Sequence, residues 1–238
     1  MIGFFDYTVI LTYLSLISAS CGIMVALNGS GHPYIGTFFL LFCGLCDAFD
    51  GKVARTKKNR SQAERSFGVQ IDSLSDLVAF GVLPAAIGSA MLRWSALMHL
   101  VYGTPLERPL EFGWMVILIL YILAAMIRLA WYNVTEEERQ KAEDGVRKYY
   151  TGLPVTSSAL IFPVILLLQY VIPTDVTPVY FATAVICAIA FLSPFQIRKP
   201  GLRGVLILVG IGAAEFLLML ALVLARKFLL ICRGQTRR

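Results

Sequence analysis

Residues 34–53 read YIGTFFLLFCGLCDAFDGKV, an apolar run whose last third contains two aspartates. The hydrocarbon core of a bilayer is about 30 Å thick, so a helix that crosses it needs about 20 mostly apolar residues. Charged side chains within such a helix are unfavourable and are found mainly where they have a function. The run therefore predicts a membrane-spanning helix in which Asp47 and Asp50 are functional residues.

The rest of the sequence repeats this apolar pattern. Hydrophobic residues make up 58% of the 238 residues and charged residues only 15%, whereas a typical soluble domain has about 25% charged residues. Seven apolar runs are separated by short polar loops, and they cover residues 7–27, 34–53, 67–92, 112–133, 152–172, 179–194 and 202–225. The predicted fold class is an all-α polytopic membrane protein with about seven transmembrane helices, or between six and eight.

Basic residues are concentrated in the loops after the second, fourth and sixth predicted spans. The loops at residues 28–33 and 173–178 contain neither Lys nor Arg. Because basic residues in short loops are retained in the cytoplasm, the three basic loops are predicted to be cytoplasmic. The basic residues that give the chain its net charge of +6 are thus expected to contact anionic lipid head groups. No nucleic-acid partner is expected.

The C-terminal segment, residues 202–238, is compatible with two topologies. A single span would place its last basic residues outside, namely Arg226, Lys227, Arg233, Arg237 and Arg238. Alternatively, residues 202–231 form a tight helical hairpin around Gly210, Gly212 and Glu215, and the tail stays inside. The sequence leaves both topologies open.

A second pair of aspartates, Asp72 and Asp76, lies near the start of the third predicted span. Residues three or four apart share one face of a helix, so each aspartate pair is expected to face one direction. The second span ends and the third begins at the same membrane face, which predicts one cluster of four carboxylates. Such a cluster needs counter-charge, and its oxygen ligands favour Mg2+ or Mn2+, ions that commonly bind phosphates.

Next to this cluster, Cys43 and Cys46 form a Cys-x-x-Cys pattern, which is typical of redox and zinc sites. No second cysteine pair completes a zinc site in the sequence, and no soluble redox fold surrounds the motif. Both cysteines are therefore expected to be buried, small apolar residues of a helix.

The pattern Asp47-x-x-Asp50-Gly51-x-x-Ala54-Arg55, followed by Gly68-x-x-x-Asp72-x-x-x-Asp76, resembles the signature of the CDP-alcohol phosphatidyltransferases. The resemblance implies a single integral membrane catalytic domain over residues 1–238, commonly a homodimer. It implies that an alcohol attacks the lipid-side phosphorus of a CDP-linked lipid and releases CMP. One departure is the spacing from Arg55 to Gly68, which is a few residues longer than is usual in the family.

The same resemblance assigns roles to the residues of the signature. Asp47, Asp50, Asp72 and Asp76 would bind two divalent ions, Mg2+ or Mn2+, and Asp76 would also be the catalytic general base. The CDP moiety would be bound by Gly51, Ala54, Arg55 and Gly68. The active site would then lie at the cytoplasmic face.

Three later stretches are similar to the phosphatidylserine synthase branch of this family, namely residues 66–84, 128–133 and 150–154. This similarity implies CDP-diacylglycerol and L-serine as substrates, although Trp131 stands where that branch usually has arginine. Arg128 lies within the fourth span, where an arginine is unfavourable unless it is paired or lines a polar site. The predicted acceptor pocket consists of Arg128, Asn133, Lys148, Tyr150 and Thr151.

Two alternatives remain open for the function. Within the family, the acceptor is another small polar alcohol, such as inositol, inositol phosphate or glycerol phosphate. A membrane transporter also places carboxylates and glycines at membrane depth, but such folds typically contain paired repeats with broken helices, and no such repeat is visible in this sequence.

Overall fold

The computed structural model describes residues 3–28, 33–142, 149–172 and 174–235, and most of these are helical. The main helices are α1 (Ile10–Leu27), α2 (Pro33–Ala54), α3 (Gln62–Asp76), α4 (Leu83–Leu92), α5 (Ala96–Val101), α6 (Glu107–Ala142), α7 (Ser158–Val171), α8 (Thr177–Leu192) and α9 (Leu202–Gln235). Two short strands, β1 (Tyr149–Thr151) and β2 (Gln196–Arg198), pair antiparallel. The predicted all-α polytopic membrane fold is confirmed, with this small strand pair as an addition.

Each predicted span corresponds to a helix, but the lengths differ. Within the part of the chain that the structure describes, four helical segments are long and apolar enough to cross a bilayer, namely Tyr7–Leu27, Gln62–Leu92, Glu107–Arg139 and Leu202–Ala225. The first and second of these combine shorter elements, since a 3-10 turn (Tyr7–Val9) precedes α1 and a π-helical turn (Leu77–Val82) joins α3 to α4. α7 and α8 have only 14 and 16 residues, fewer than the about 20 that a perpendicular span needs.

The π-helical turn lies directly after Asp76 and is stabilised from the neighbouring helices. Pro84 has no backbone N–H and cannot donate to the carbonyl of Phe80, four residues earlier. The hydroxyl of Tyr121 donates to that carbonyl instead, at 2.6 Å. The hydroxyl of Tyr180 donates to the carbonyl of Pro84 at 2.7 Å. Both tyrosines are fully buried, so this irregular segment forms the centre of the apolar core.

Small residues allow α2 to approach its neighbours closely. A Cβ atom at Gly44 would lie 2.6 Å from the Cβ of Ala159 in α7, a distance that no side chain tolerates. α2 also packs along α1 and contacts α9. The helix that carries Asp47 and Asp50 is therefore surrounded on several sides, which holds its aspartates at a fixed depth.

The strand pair joins the α6–α7 connection to the α8–α9 connection, and Tyr150 lies opposite Ile197. Gly152 follows β1 with a φ of 73°. A Cβ atom there would lie 2.8 Å from the carbonyl oxygen of Phe191 and 2.9 Å from that of Ser193. Only glycine readily adopts this conformation so close to another backbone. The chain is therefore not helical at Gly152, and α7, the helix of the fifth predicted span, begins only at Ser158.

α9 is one continuous helix through Gly210, Gly212 and Glu215, so the structure does not show the hairpin alternative. In an apolar environment the backbone keeps its hydrogen bonds within a helix, and glycines alone do not break it. Phe216 contacts Phe38 of α2 edge-to-face, with ring centroids 5.1 Å apart. Glu215 is buried on the face of α9 that packs against α2 and α7.

Candidate active site

The four signature aspartates lie where the C-terminal part of α2 meets α3. The carboxyl groups of Asp50 and Asp72 are within hydrogen-bonding distance of each other. Asp47 and Asp76 interact electrostatically with the same pair. Asp76 is buried, with 8% of its surface exposed, and the other three are half-buried. Two carboxyl groups this close need a shared proton or a cation between them.

Hydrogen bonds on both sides hold the α3 segment that carries Asp72 and Asp76. The Ser75 hydroxyl donates to the carbonyl of Thr12 in α1 at 3.1 Å. The Asn133 amide donates to the Ser73 hydroxyl at 2.7 Å. α3 begins with a capping box, in which the Ser61 hydroxyl accepts from the Glu64 backbone and the Glu64 carboxylate accepts from that of Ser61. These contacts orient the aspartates between α1 and α6.

The donor set of this cluster fits a hard divalent cation, because it consists of carboxylate oxygens and includes a pair that is already in contact. Across residues 3–28, 33–142, 149–172 and 174–235, however, no three His, Cys, Asp or Glu side chains are close enough to form a ready-made metal site. The nearby Cys43 and Cys46 are buried. The Cys43 thiol donates to the carbonyl of Ser15 at 3.3 Å, as expected for a residue of the helix core.

A cavity of about 530 Å³ opens beside Asp50 and Asp72. All four residues predicted to bind CDP line it, namely Gly51, Ala54, Arg55 and Gly68. It is further lined by residues that the motif did not single out, namely Thr8, Val9, Thr12, Lys57, Lys58, Arg60, Arg65 and Val69. The lining thus combines small residues and two carboxylates with five basic residues, Arg55, Lys57, Lys58, Arg60 and Arg65. The charge of residues 55–65, which form the α2–α3 loop and the first turn of α3, was visible in the sequence. Nothing in the sequence indicated the three lining residues from the N-terminal segment, Thr8, Val9 and Thr12.

The N-terminal segment is attached to the basic loop by an ion pair. Lys57 Nζ lies 2.7 Å from Asp6 Oδ2 and 2.7 Å from Glu64 Oε1. The hydrogen bond from Lys57 lowers the pKa of Asp6 to about 2. Because the folded-state pKa is below the ordinary value, this contribution to stability is present above about pH 4 and is lost only as the pH falls towards 2.

The predicted acceptor residues are only partly brought together. Arg128 and Thr151 line a second cavity of about 300 Å³, whose other lining residues are Ile127, Trp131, Phe191, Leu192, Ser193 and Pro194. Asn133 instead contacts Ser73, and Tyr150 lies outside this lining. Lys148 lies outside the described residues.

Arg128 is buried, with 5% of its surface exposed. Its guanidinium carbon is 5.8 Å from the ring centroid of Trp131 and 5.4 Å from that of Tyr132. The ring of Tyr150 is 6.0 Å from that of Tyr132, and Lys199 Nζ is 5.4 Å from the Tyr150 ring. Tyr150 therefore connects the strand pair to the surroundings of Arg128, and Lys199 is a neighbour that the sequence did not indicate.

Residues 7–192 match the family model of CDP-alcohol phosphatidyltransferase, and this range includes all four aspartates and Arg128. The chain belongs to the CDP-alcohol phosphatidyltransferase family.

Several curated relatives are similar to this chain over about 150 residues. It is 36% identical over 138 residues to a CDP-diacylglycerol–serine O-phosphatidyltransferase of Saccharomyces cerevisiae, covering 57% of this chain and 43% of the relative. It is 32% identical over 148 residues to an archaetidylserine synthase of Methanothermobacter thermautotrophicus, covering 62% and 53%. A CDP-diacylglycerol–serine O-phosphatidyltransferase of Mycobacterium tuberculosis is 28% identical over 152 residues, covering 63% and 45%. The chain spans about half the length of the curated relatives it matches.

The match to the CDP-alcohol phosphatidyltransferase model ends at residue 192, within the structure. β2 and α9 follow that residue, yet both contact the matched part of the chain. The loop that carries Lys199 therefore lies next to the Arg128 cavity without belonging to the part of the chain that the family model covers.

Proposed function

We propose that this protein is a CDP-diacylglycerol–serine O-phosphatidyltransferase, which transfers a phosphatidyl group to L-serine and releases CMP. The observation that carries the proposal is the cavity beside the Asp50–Asp72 pair, whose lining includes five basic residues. A CDP-linked lipid has a diphosphate that suits the basic side chains of this lining and a bulky nucleotide that needs the space left by its small residues. Serine is favoured as the acceptor because curated relatives named for serine transfer are similar to this chain.

Two Mg2+ or Mn2+ ions, held by Asp47, Asp50, Asp72 and Asp76, would supply charge stabilisation for the displacement at phosphorus. In the proposed reaction, the serine hydroxyl oxygen forms a bond to the lipid-side phosphorus. The bond from this phosphorus to the bridging oxygen breaks, and CMP leaves with that oxygen. Asp76 accepts the hydroxyl proton, and its burial keeps water away from the carboxylate.

Small residues and arginine have separate roles in binding the CDP moiety. Gly51 and Ala54 allow the nucleotide to approach the backbone of α2, and Gly68 leaves space on α3 for the Arg60 side chain that lines the same cavity. Arg55, which is exposed at the edge of the cavity, offers its planar guanidinium to phosphate oxygens. The basic residues of the neighbouring loops support an active site at the cytoplasmic face. The proposal includes residues 1–238 as one catalytic domain and a homodimer as the functional unit.

The acceptor carboxylate is assigned to Arg128. Its charge is buried in the cavity that also contains Thr151, and a buried cation favours an anionic ligand. Asn133 contacts Ser73, next to Asp72, so α6 connects the acceptor cavity to the aspartates. Tyr150 and Lys148 remain proposed as acceptor-binding residues.

Replacing Arg128 with Gln is expected to raise the KM for serine by about tenfold or more, because a charge-assisted hydrogen bond to the carboxylate is lost. The KM for CDP-diacylglycerol should stay unchanged. Steady-state kinetics with each substrate varied in turn would measure both constants. Arg128→Lys is the matched control and should have an intermediate effect. An unchanged KM for serine in folded Arg128→Gln protein would contradict the assignment.

The proposed function is tested by CMP release from CDP-diacylglycerol by the purified full chain in detergent, with Mn2+ or Mg2+ present. The acceptors are L-serine, inositol, inositol phosphate and glycerol 3-phosphate, each supplied alone. CMP should be released with serine, be absent after chelation with EDTA, and return when the metal is restored. Release with a different alcohol but not with serine would overturn the acceptor, and no release with any of them would overturn the activity.

A further inference from the structure

The basic residues on the wall of the 530 Å³ cavity are not equivalent. Lys57 lies 2.7 Å from a carboxylate oxygen of Asp6 and equally close to one of Glu64. Its positive charge is therefore neutralised within the protein, and its main effect is to attach the α2–α3 loop to the N-terminal segment and to α3. Lys57 therefore holds the loop in place, and its ammonium group is already paired with two carboxylates instead of being available to a ligand.

Arg60 belongs to the same loop and lines the same cavity, but its contacts differ. Its Nη2 atom donates to the backbone carbonyl of Glu64 at 3.2 Å. Its Nε–H is buried and has no hydrogen-bond partner among the described residues. In the part of the chain that the structure describes, no carboxylate lies within ion-pair distance of Arg60. Arg60 is thus a cation without a counter-ion on the cavity wall.

The backbone of Gly68 creates the space in which this guanidinium lies. A Cβ atom at Gly68 would be 2.8 Å from Nη2 of Arg60, so a side chain at this position would displace it. Gly68 is four residues from Asp72 on α3, and residues four apart lie on one face of a helix. Arg60 therefore lies above the face of α3 that bears Asp72, where a phosphate bound near the aspartates is within reach of its donors.

We infer that Arg60 is a further binding residue for the diphosphate of the CDP-linked lipid, in addition to Arg55. The inference rests on the proposed function, because it assigns a residue to the nucleotide cavity of that enzyme. A guanidinium has donors in a planar fork that matches phosphate oxygens, and a charged donor pairs more strongly than a neutral one. Lys57 holds the loop in place beforehand, so little conformational freedom is lost on binding.

Equilibrium binding of CDP to the purified full chain in detergent, with Mn2+ present, tests the inference by calorimetry. Arg60→Gln is expected to weaken CDP binding by about tenfold or more, and Arg60→Lys, which keeps the charge but loses the fork, should weaken it less. The matched control is Arg203→Gln, which removes an exposed arginine that follows β2 and should bind CDP as the unmodified protein does. The KM for serine and the melting temperature should be the same in Arg60→Gln and the unmodified protein.

CDP affinity in Arg60→Gln within about twofold of the unmodified protein would overturn the role of Arg60. A parallel rise in the KM for serine, or a lower melting temperature, would show a structural role and would also overturn it. A folded, unmodified protein that does not bind CDP would refute the proposed function itself. The two failures are distinguishable. If only the role of Arg60 is wrong, the unmodified protein still binds CDP, whereas if the proposed function is wrong, the unmodified protein does not bind CDP.

Discussion

Replacing Asp76 with Asn is expected to lower the turnover number for CMP release by about a thousandfold, within the range of 10²–10⁴ for the loss of a general base. Asn has nearly the same shape as Asp but accepts no proton from the serine hydroxyl. The side chain is buried directly before the π-helical turn, so solvent does not easily replace it as a base. CDP binding should stay within about threefold of the unmodified protein, because the Asn side chain keeps a carbonyl oxygen that can ligate a metal ion.

Turnover is measured as CMP release at saturating serine and CDP-diacylglycerol, and CDP binding is measured by calorimetry. Asp175→Asn is the matched control, since it makes the same chemical change in the α7–α8 connection. The Asp175 carboxylate accepts hydrogen bonds from Ser95 at 2.6 Å and from the Thr177 backbone at 2.9 Å. This control should lower stability but not turnover at a permissive temperature. Near-normal turnover in Asp76→Asn would contradict its role as the base.

Replacing Asp47 with Ala is expected to weaken metal binding and nucleotide binding together. The substitution removes one of the proposed metal ligands, and even outer groups around metal sites change affinity by about 10–100-fold. Asp47 interacts electrostatically with Asp72 and Asp76, so its loss also reduces the charge that attracts the ions. Turnover should fall by at least about a hundredfold.

Mn2+ binding is followed by electron paramagnetic resonance, with and without CDP, in the detergent-purified protein. The mutant should show a lower Mn2+ affinity and a lower Mn2+-dependent CDP affinity. CDP binding measured in EDTA should be the same in mutant and unmodified protein. If Asp47→Ala binds Mn2+ as tightly as the unmodified protein, Asp47 is not a ligand. The pattern differs from that of Asp76→Asn, in which binding persists and only turnover is lost.

The helices were predictable because their signal is local. A bilayer requires long apolar runs, and each predicted run overlaps a helix of the structure over most of its length. The closeness of Asp50 and Asp72 was also predictable, since a short loop joins the two helices and their spacing places each pair on one face. The lengths of the helices were less predictable. α6 continues to Ala142, beyond the predicted end at residue 133, and α7 begins only at Ser158.

The acceptor region shows contacts that sequence reasoning did not supply. Asn133 was predicted to line the acceptor pocket, but its amide contacts Ser73, 60 residues away in the chain. The strand pair between residues 149–151 and 196–198 was not predicted at all. Strands of three residues have no recognisable period, and their pairing depends on how α6 and α8 pack. Gly152 indicates this packing only once the carbonyl of Phe191 is known to lie beside it.

The sequence by itself determined the membrane fold, the positions of the main helices and the four aspartates, because each depends on residues that are near one another in the chain. Only the tertiary structure decided which basic residues are available to a ligand. Lys57 and Arg60 belong to one loop, yet Lys57 is neutralised by Asp6, 51 residues away, whereas Arg60 lies against Gly68 beside the cavity. Contacts between residues so far apart in the chain depend on how whole helices pack, and no local sequence pattern predicts them.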